Sequence, residues 1–440
     1  MCIRDSVRGK FNDKKSDGEI SHFQALTTAL SATVGMGNIA GVAVAISIGG
    51  PGAIFWMWVS GIIGMSTKFF TSALAVMYRG VDSAGKKQGG PMYFIVNGLG
   101  KKWAPIAIFF SFCGMVGALP VFNVNQLTQA INDIVLKPNG YEVSLFSNAI
   151  IGLILIILTS IVILGGLKRI SRVSARIVPF MVGVYIISIL VILIVNYDNV
   201  PEYLYLIFYD AFNADYYSGN SALGGVLGAL IILGIRRGAF SNEAGIGMAP
   251  MAHGAAKTNN PPRQGAIAML GTFFDTIIIC SLTALVIIIS GSWMSGENGV
   301  ALTSNAFVFG LPNIGDSIVT ICLILFSFTT IIGWSYYGER CAQYIFGTKI
   351  ITPYRILWLL SIILGAYALN LGGQASDSIS LIWLVADVMN GFMALPNLIA
   401  LVLLSPVIFK ISKEYFSGCL LYTSDAADER SSVDLGGRRI

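Results

Sequence analysis

The amino-acid sequence predicts an all-α polytopic membrane protein of ten transmembrane helices, and three observations carry that prediction. The first is composition. Of the 440 residues, 55% are hydrophobic and 12% charged, with a mean hydropathy of +0.73, whereas soluble domains hold about 25% charged residues. The second is length, because apolar segments of about 20 residues, enough to cross the hydrocarbon, recur along the chain. The third is charge placement, because basic residues fall in alternate connections, as they do when those connections share one side of a membrane. The formal charge of +5 is too small and too scattered to attract nucleic acid, so the expected macroscopic partner is the lipid bilayer.

Taken in order, the first span covers residues 23–49, and the Gly49-Gly50-Pro51-Gly52 turn leads into the second, 53–78. A basic loop with Arg79, Lys86, Lys87, Lys101 and Lys102 follows, holding an apolar piece, 91–99, too short to span. The third, fourth and fifth spans are 103–131, 143–164 and 177–197, with Lys168, Arg169, Arg172 and Arg176 between the last two. Residues 198–220, acidic and rich in tyrosine, read as an interfacial connection. The sixth to tenth spans are 222–256, 265–290, 318–346, 356–371 and 379–411, with Lys257 and Arg263, Lys349 and Arg355, and Lys410 and Lys413 in the connections on the basic side. Lys137 is the exception among the other connections. The positive-inside rule then puts both native ends in the cytoplasm.

Both termini stand outside this plan. Residues 1–6 and 419–440 read as translated sequencing-adapter DNA, M-C-I-R-D-S at one end and C-L-L-Y-T-S-D-A-A-D-E to S-V-D-L-G-G-R-R-I at the other. The expected native domain is therefore 7–418. Of the six cysteines, Cys2 and Cys419 fall in these ends and Cys113, Cys280, Cys322 and Cys341 in or beside spans, which predicts neither a disulfide framework nor a redox site.

The chain is organised around S-A-T-V-G-M-G-N-I-A-G-V, residues 31–42, at the centre of the first span. Glycine costs about 1 kcal/mol in a helix interior, and Gly35 and Gly37 stand beside the amide of Asn38 where a lipid-facing helix can least tolerate a break. A broken helix at that depth must be buried or line a cavity, and its two half-helix ends suit an anion and a cation. The other reading, that Gly37 and Gly41 are small helix-packing residues, stays open. Asn38 is a natural carbonyl ligand for a hard cation such as sodium. The sixth span carries a second break in I-R-R-G-A-F-S-N-E-A-G-I-G, where Phe240, Ser241, Asn242 and Glu243 interrupt two apolar halves. Arg236, Arg237 and Glu243 lie near mid-depth, at a cost of at least about 2.5–3.5 kcal/mol each, so they face either a ligand or one another as a structural pair. Two sets of five spans, about 23–197 and 222–411, each opening on a broken helix and entering from opposite sides, make a 5+5 inverted repeat.

Further candidates are weaker one by one. Thr329 and Thr330 offer hydroxyls for a cation or for their own helix. Asp275, in F-F-D-T, is a cation ligand, a proton carrier or a structural acceptor. Trp334 walls a pocket or packs. Phe122, Asn123, Asn125 and Gln126 form a polar turn after Pro120 that reaches toward the cavity, and Asp387 and Asn390 lie in the tenth span. His22 and His253 lack metal-ligand spacing.

With T-V-G-M-G-N-I-A-G-V and R-R-G-A-F-S-N-E-A-G-I-G, followed by G-G-P-G-A-I-F-W-M-W, A-P-M-A-H-G-A-A-K-T, F-F-D-T, G-W-S-Y-Y-G-E-R and M-A-L-P-N-L-I-A-L, the chain resembles the alanine or glycine:cation symporter family over residues 19–415. The family usually has threonine at the position of Met36 and a helix before G-E-I-S-H-F-Q-A-L. The resemblance implies a LeuT-like fold with discontinuous first and sixth helices. It also implies backbone N–H groups near Gly35, Met36 and Gly37 on the substrate carboxylate, with Phe122, Gln126, Phe240 to Glu243 and Trp334 around a small pocket. One sodium would sit at Asn38 and Asp275 with carbonyls of the Ala32–Thr33 turn. A second would sit at Thr329 and Thr330 with carbonyls near Ser31 and Val34. The function so implied is sodium-coupled import of alanine or glycine by alternating access across the inner, plasma membrane, with no cofactor beyond the coupling ion and no enzymatic step. Proton coupling through Glu243 or Asp275 is the alternative within that class. A polytopic membrane enzyme is the alternative outside it, opposed by the lack of a carboxylate-pair metal motif, a His cluster or a P-loop, and a channel fits two opposed broken helices less well than a gated site does.

Overall fold

The computed structural model describes residue 5 and residues 16–213, 223–367 and 376–434, and these are helical almost throughout. The first span starts at a capping box: the Gln24 amide donates to Ser21 Oγ at 3.2 Å and the Ser21 amide to Gln24 Oε1 at 3.0 Å, satisfying two end donors of α1 (His22–Thr33). After the break a π-helical stretch, Gly37–Gly41, leads into α2 (Val42–Gly49), and the two halves meet at 55°. The second span is α3 (Ala53–Met77). An antiparallel hairpin, β1 (Gly80–Val81) with β2 (Lys87–Gln88), and the short α4 (Pro91–Leu99) fill the basic loop.

The third span is interrupted at Pro120, between α5 (Ala104–Gly117) and α6 (Val121–Ile131). Next come α7 (Leu145–Ile163), α8 (Gly166–Val195) and α9 (Val200–Asn213), the last filling the tyrosine-rich connection. The chain goes on through α10 (Leu223–Asn242), α11 (Ala249–Gly254) and α12 (Pro261–Thr272), then the π-helical stretch Phe273–Cys280 and α13 (Ser281–Ile289). It continues with α14 (Gly299–Gly310), α15 (Gly315–Phe346), α16 (Ile351–Tyr367) and α17 (Ser376–Asp434). The α14 helix lies in a connection the sequence reading left without structure.

Among the described residues eight helices are long and apolar enough to cross a membrane, nine if the bent first span counts as one. Length and hydropathy alone do not single out the predicted sixth span, because α10 ends in polar residues and α11 has only six residues. Ile62, Ile63, Ile157, Ile161, Phe180, Ile187, Ile194, Leu360 and Val402 are exposed, as residues facing acyl chains must be, since hydrocarbon rather than water surrounds them.

The two ends of the bundle are tied differently. On the basic side, the Arg79 guanidinium donates to the carbonyls of Asp17, Gly254, Ala256 and Thr258. The strand-like Ile20 runs beside Ala256, with Glu19 N–H on Ala255 O and Lys257 N–H on Ile20 O, both at 2.8 Å. Burial pulls the Arg79 guanidinium down to about 10, against the opposing effect of Asp17, so it still carries its charge at neutral pH. Nearby, Glu339 accepts from Arg340 and Arg355 at 2.6 Å each. On the other side, the Gly52 amide donates to Asp210 Oδ2 at 2.7 Å and the Trp56 indole to Ala211 O at 3.1 Å. A Cβ on Gly52 would lie 2.5 Å from the Ala211 nitrogen, so only glycine lets α9 approach there.

Candidate substrate and cation site

The first break begins where α1 ends at Val34. Asn38 closes the loop on itself: its Oδ1 accepts the Gly35 N–H at 2.8 Å, and its Nδ2 donates to Asp275 Oδ1 at 2.7 Å while lying 3.1 Å from Ser241 Oγ. Asp275 sits in the π stretch of the seventh span, fully buried, and its Oδ2 accepts from Ser241 and Thr276 hydroxyls at 2.9 Å each. Both π stretches, whose widened turns free the backbone locally, thus meet at one amide–carboxylate pair. Asp275 is bound by three protein donors, which is the structural-acceptor arrangement among the three readings of the sequence.

The second break follows Asn242. Its Oδ1 accepts the Ala244 N–H at 2.9 Å and its Nδ2 donates to Thr276 Oγ1 at 3.1 Å. Glu243 takes a left-handed backbone with φ 53°, rare for a residue with a side chain, and Gly245 and Gly247 complete the turn with φ near +98° and +99°. The Trp334 indole N–H lies 3.0 Å from Glu243 Oε1 and 3.3 Å from Ala32 O, so α15 ties both breaks together.

Between the breaks lies a cavity of about 50 Å³, lined by Thr33, Gly35, Met36 and Gly37 from the first span and Phe240, Ser241 and Glu243 from the sixth. Phe122 and Gln126 enter from α6, and Thr330 and Trp334 from α15. A wider vestibule of about 630 Å³ adjoins it and carries Arg236 and Arg237. Met36, Gly37, Phe122, Gln126 and Phe240 line both. The Phe122 and Phe240 rings, 6.4 Å apart and edge to face, stand at this boundary.

The structure therefore brings most of the sequence-predicted residues to one place and sets others behind it. Ser31, Val34, Asn38, Asn242, Asp275 and Thr329 are buried and do not line the cavity. Thr329 and Thr330 both donate to Phe326 O, at 2.9 and 3.0 Å, the return to their own helix that was one of their two readings. A Cβ on Gly35 would meet Thr330 Oγ1 at 2.6 Å, whereas one on Gly41 would meet nothing within 4 Å. The helix-packing reading thus fails for Gly41, and Gly35 is required by close approach. The arginine–glutamate pair is also not formed: the Glu243 carboxylate binds Trp334, and its charged neighbours are Lys68 and Asp275. Lys68 was overlooked in the sequence, although a lone lysine in S-T-K-F-F within an apolar span was a readable signal. No group of three or more His, Cys, Asp or Glu residues suited to a metal occurs among the described residues. The Asp387 side chain lies outside the described residues.

Broken helices meeting at a small buried cavity, inside a bundle of membrane-spanning helices, define a secondary membrane transporter of the LeuT-like class. A crystal structure of MhsT in complex with L-phenylalanine shares the fold with a TM-score of 0.60, covering 87% of this chain and 89% of that one at 13% identity. The family model described as the sodium:alanine symporter family matches residues 2–422, and the chain belongs to that family. It is 44% identical to the sodium/alanine symporter AgcS of Methanococcus maripaludis, over 92% of this chain and 86% of the relative. It is 38% identical to the probable sodium/glutamine symporter GlnT of Bacillus subtilis, over 91% and 80%.

Proposed function

We propose that this symporter imports alanine or glycine with sodium across the inner membrane, with the basic face cytoplasmic. The observation that carries the choice of substrate is the cavity of about 50 Å³ between the breaks. At ~10–15 Å³ per water, it has room for roughly three to five waters, the scale of glycine or alanine and well short of an aromatic amino acid. The Trp334 ring closes one wall, and the Phe122–Phe240 pair stands toward the vestibule.

The substrate carboxylate would sit against the backbone of Gly35, Met36 and Gly37, at the start of the second half-helix, where helix N–H groups favour an anion. The ammonium would face Phe240 to Asn242 and the Glu243 carboxylate. One sodium would bind near Asn38 and the Ala32–Thr33 carbonyls, and another near the Thr330 and Thr329 hydroxyls with carbonyls around Ser31 and Val34. Asp275 would hold the two breaks in register rather than ligate sodium. Sodium is cargo in this scheme, no organic cofactor takes part, and no covalent bond is made or broken. Coupling follows because substrate and cation complete one site and so favour the same closed conformation. The naming of the Methanococcus relative as a sodium/alanine symporter supports this reading.

The test is uptake of radiolabelled alanine into proteoliposomes, with an inward gradient of sodium or of protons imposed separately. Concentrative, saturable uptake with sodium alone is expected. Accumulation with protons alone would transfer the coupling to Glu243, and accumulation with neither would overturn the reading.

A further inference from the structure

Lys68 lies in the middle of the second span, 2% exposed, and its Nζ makes no hydrogen bond to the described residues. An ammonium in that position is costly unless it balances an opposite charge. The packing that puts it there is explicit. One turn before it, Gly64 presses α3 against the second break, where a Cβ would meet Ala244 Cβ at 2.9 Å, with Asn242 Oδ1 and Thr272 Cγ2 both at 3.4 Å. Lys68 leaves the same face of α3 and carries its Nζ to Gly271, 3.9 Å from the Cβ position there. Its electrostatic partners are Asp275, in the π stretch of the seventh span, and Glu243, at the second break. Glu243 Oε2 is likewise buried without a hydrogen-bond partner. Two carboxylates and one ammonium therefore share a buried region beside the substrate cavity. Their formal sum is one negative charge, against two without the lysine.

We propose that the Lys68 ammonium is a tethered cation of the transport site, supplying from the second span a positive charge that would otherwise have to be a transported ion, and so setting how many sodium ions accompany each substrate. This rests on the sodium-coupled reading above. A purely structural pin would account for the burial of Lys68, but it would leave the ratio of sodium to substrate untouched when the lysine is removed and the fold survives.

The experiment is the flux ratio of radiolabelled sodium to radiolabelled alanine in proteoliposomes, for the unaltered protein, Lys68→Ala, Lys68→Arg and Lys68→Met. Lys68→Ala is expected to move one more sodium per alanine than the unaltered protein and to bind sodium with a steeper concentration dependence. Ethylammonium added to that variant is expected to restore the original ratio, as is Lys68→Arg, which keeps the charge, while Lys68→Met, which keeps the length without the charge, is expected to carry the extra sodium. An unchanged ratio in folded Lys68→Ala, with no response to ethylammonium, overturns the proposal. Failure of both Lys68→Ala and Lys68→Met to fold, or an unaltered ratio in folded Lys68→Met, also overturns it, because the lysine would then serve the fold and not the ion count. Should the unaltered protein fail to accumulate alanine on a sodium gradient, the symport reading falls first and this inference with it.

Discussion

The two breaks solve one problem by different chemistry. The first, from Val34 to Gly37, carries no formal charge and is held by a neutral amide, Asn38, which caps the loop through the Gly35 N–H. The second carries Glu243 in a left-handed conformation, with Lys68 and Asp275 as charged neighbours and two glycines with positive φ beyond it. A neutral loop suits the recognition of a carboxylate by backbone N–H groups, while a charged one can bias the binding of cations and of an ammonium. Asp275 belongs to neither break yet receives donors from both.

The largest effect is expected where the two breaks join. Asp275→Ala strands the Asn38, Ser241 and Thr276 donors at roughly 1–3 kcal/mol each, and is expected to abolish uptake and lower the thermal transition of the purified protein. Near-normal stability would mean that the breaks are held independently. Next, Gly35→Ala drives a methyl group into Thr330. It is expected to reduce alanine uptake at least about tenfold, or ~1.4 kcal/mol, with the thermal transition little changed. Equal losses of stability and uptake would make Gly35 a folding residue and weaken the contrast between the breaks. Trp334→Ala opens the small cavity and is expected to admit larger neutral amino acids in competition assays. Trp334→Phe, which keeps the wall but loses the indole N–H to Glu243 and Ala32, is expected to keep selectivity and lose only a few-fold in rate, on the scale of about 1 kcal/mol for one hydrogen bond. Identical selectivity in both variants would place Trp334 outside the pocket. The smallest effect is expected from Arg79→Lys, which keeps the charge but cannot reach four carbonyls at once. It should raise labelling of a cysteine introduced on the basic face while leaving alanine affinity within about two-fold, since Arg79 lies outside the substrate cavity. Unchanged labelling would show that Arg79 does not hold that face shut.

Much of this was legible because a membrane restricts what a sequence can hide. Gly35, Gly37 and Asn38 are conspicuous in an apolar run, and Phe240 to Glu243 likewise, since lipid tolerates no idle polar group. The meeting of the two breaks followed from their opposed directions of entry. What periodicity could not reveal was which side chains pair across elements distant in sequence. Glu243 stands near two arginines in the chain, and only the packing of α3 through Gly64 shows that its cationic neighbour is Lys68. Asp275 was ambiguous for the same reason, because two of its donors, Asn38 and Ser241, come from the first and sixth spans, and only Thr276 is its neighbour in the chain. The α14 helix was missed because a 12-residue segment between spans is too short to declare itself by hydropathy.

The two π-helical stretches, Gly37–Gly41 and Phe273–Cys280, also act as phase shifters. Each residue turns an α-helix by ~100°, so a widened turn that accommodates an extra residue resets which side of the following helix faces the bundle. The stripe of α1 does not extrapolate to α2, nor that of α12 to α13. Deleting one residue from either stretch would leave the hydropathy profile almost unaltered and let the stretch close into an ordinary α-helical turn, so that the following half-span keeps its face while the widened turn carrying Asn38 or Asp275 is lost.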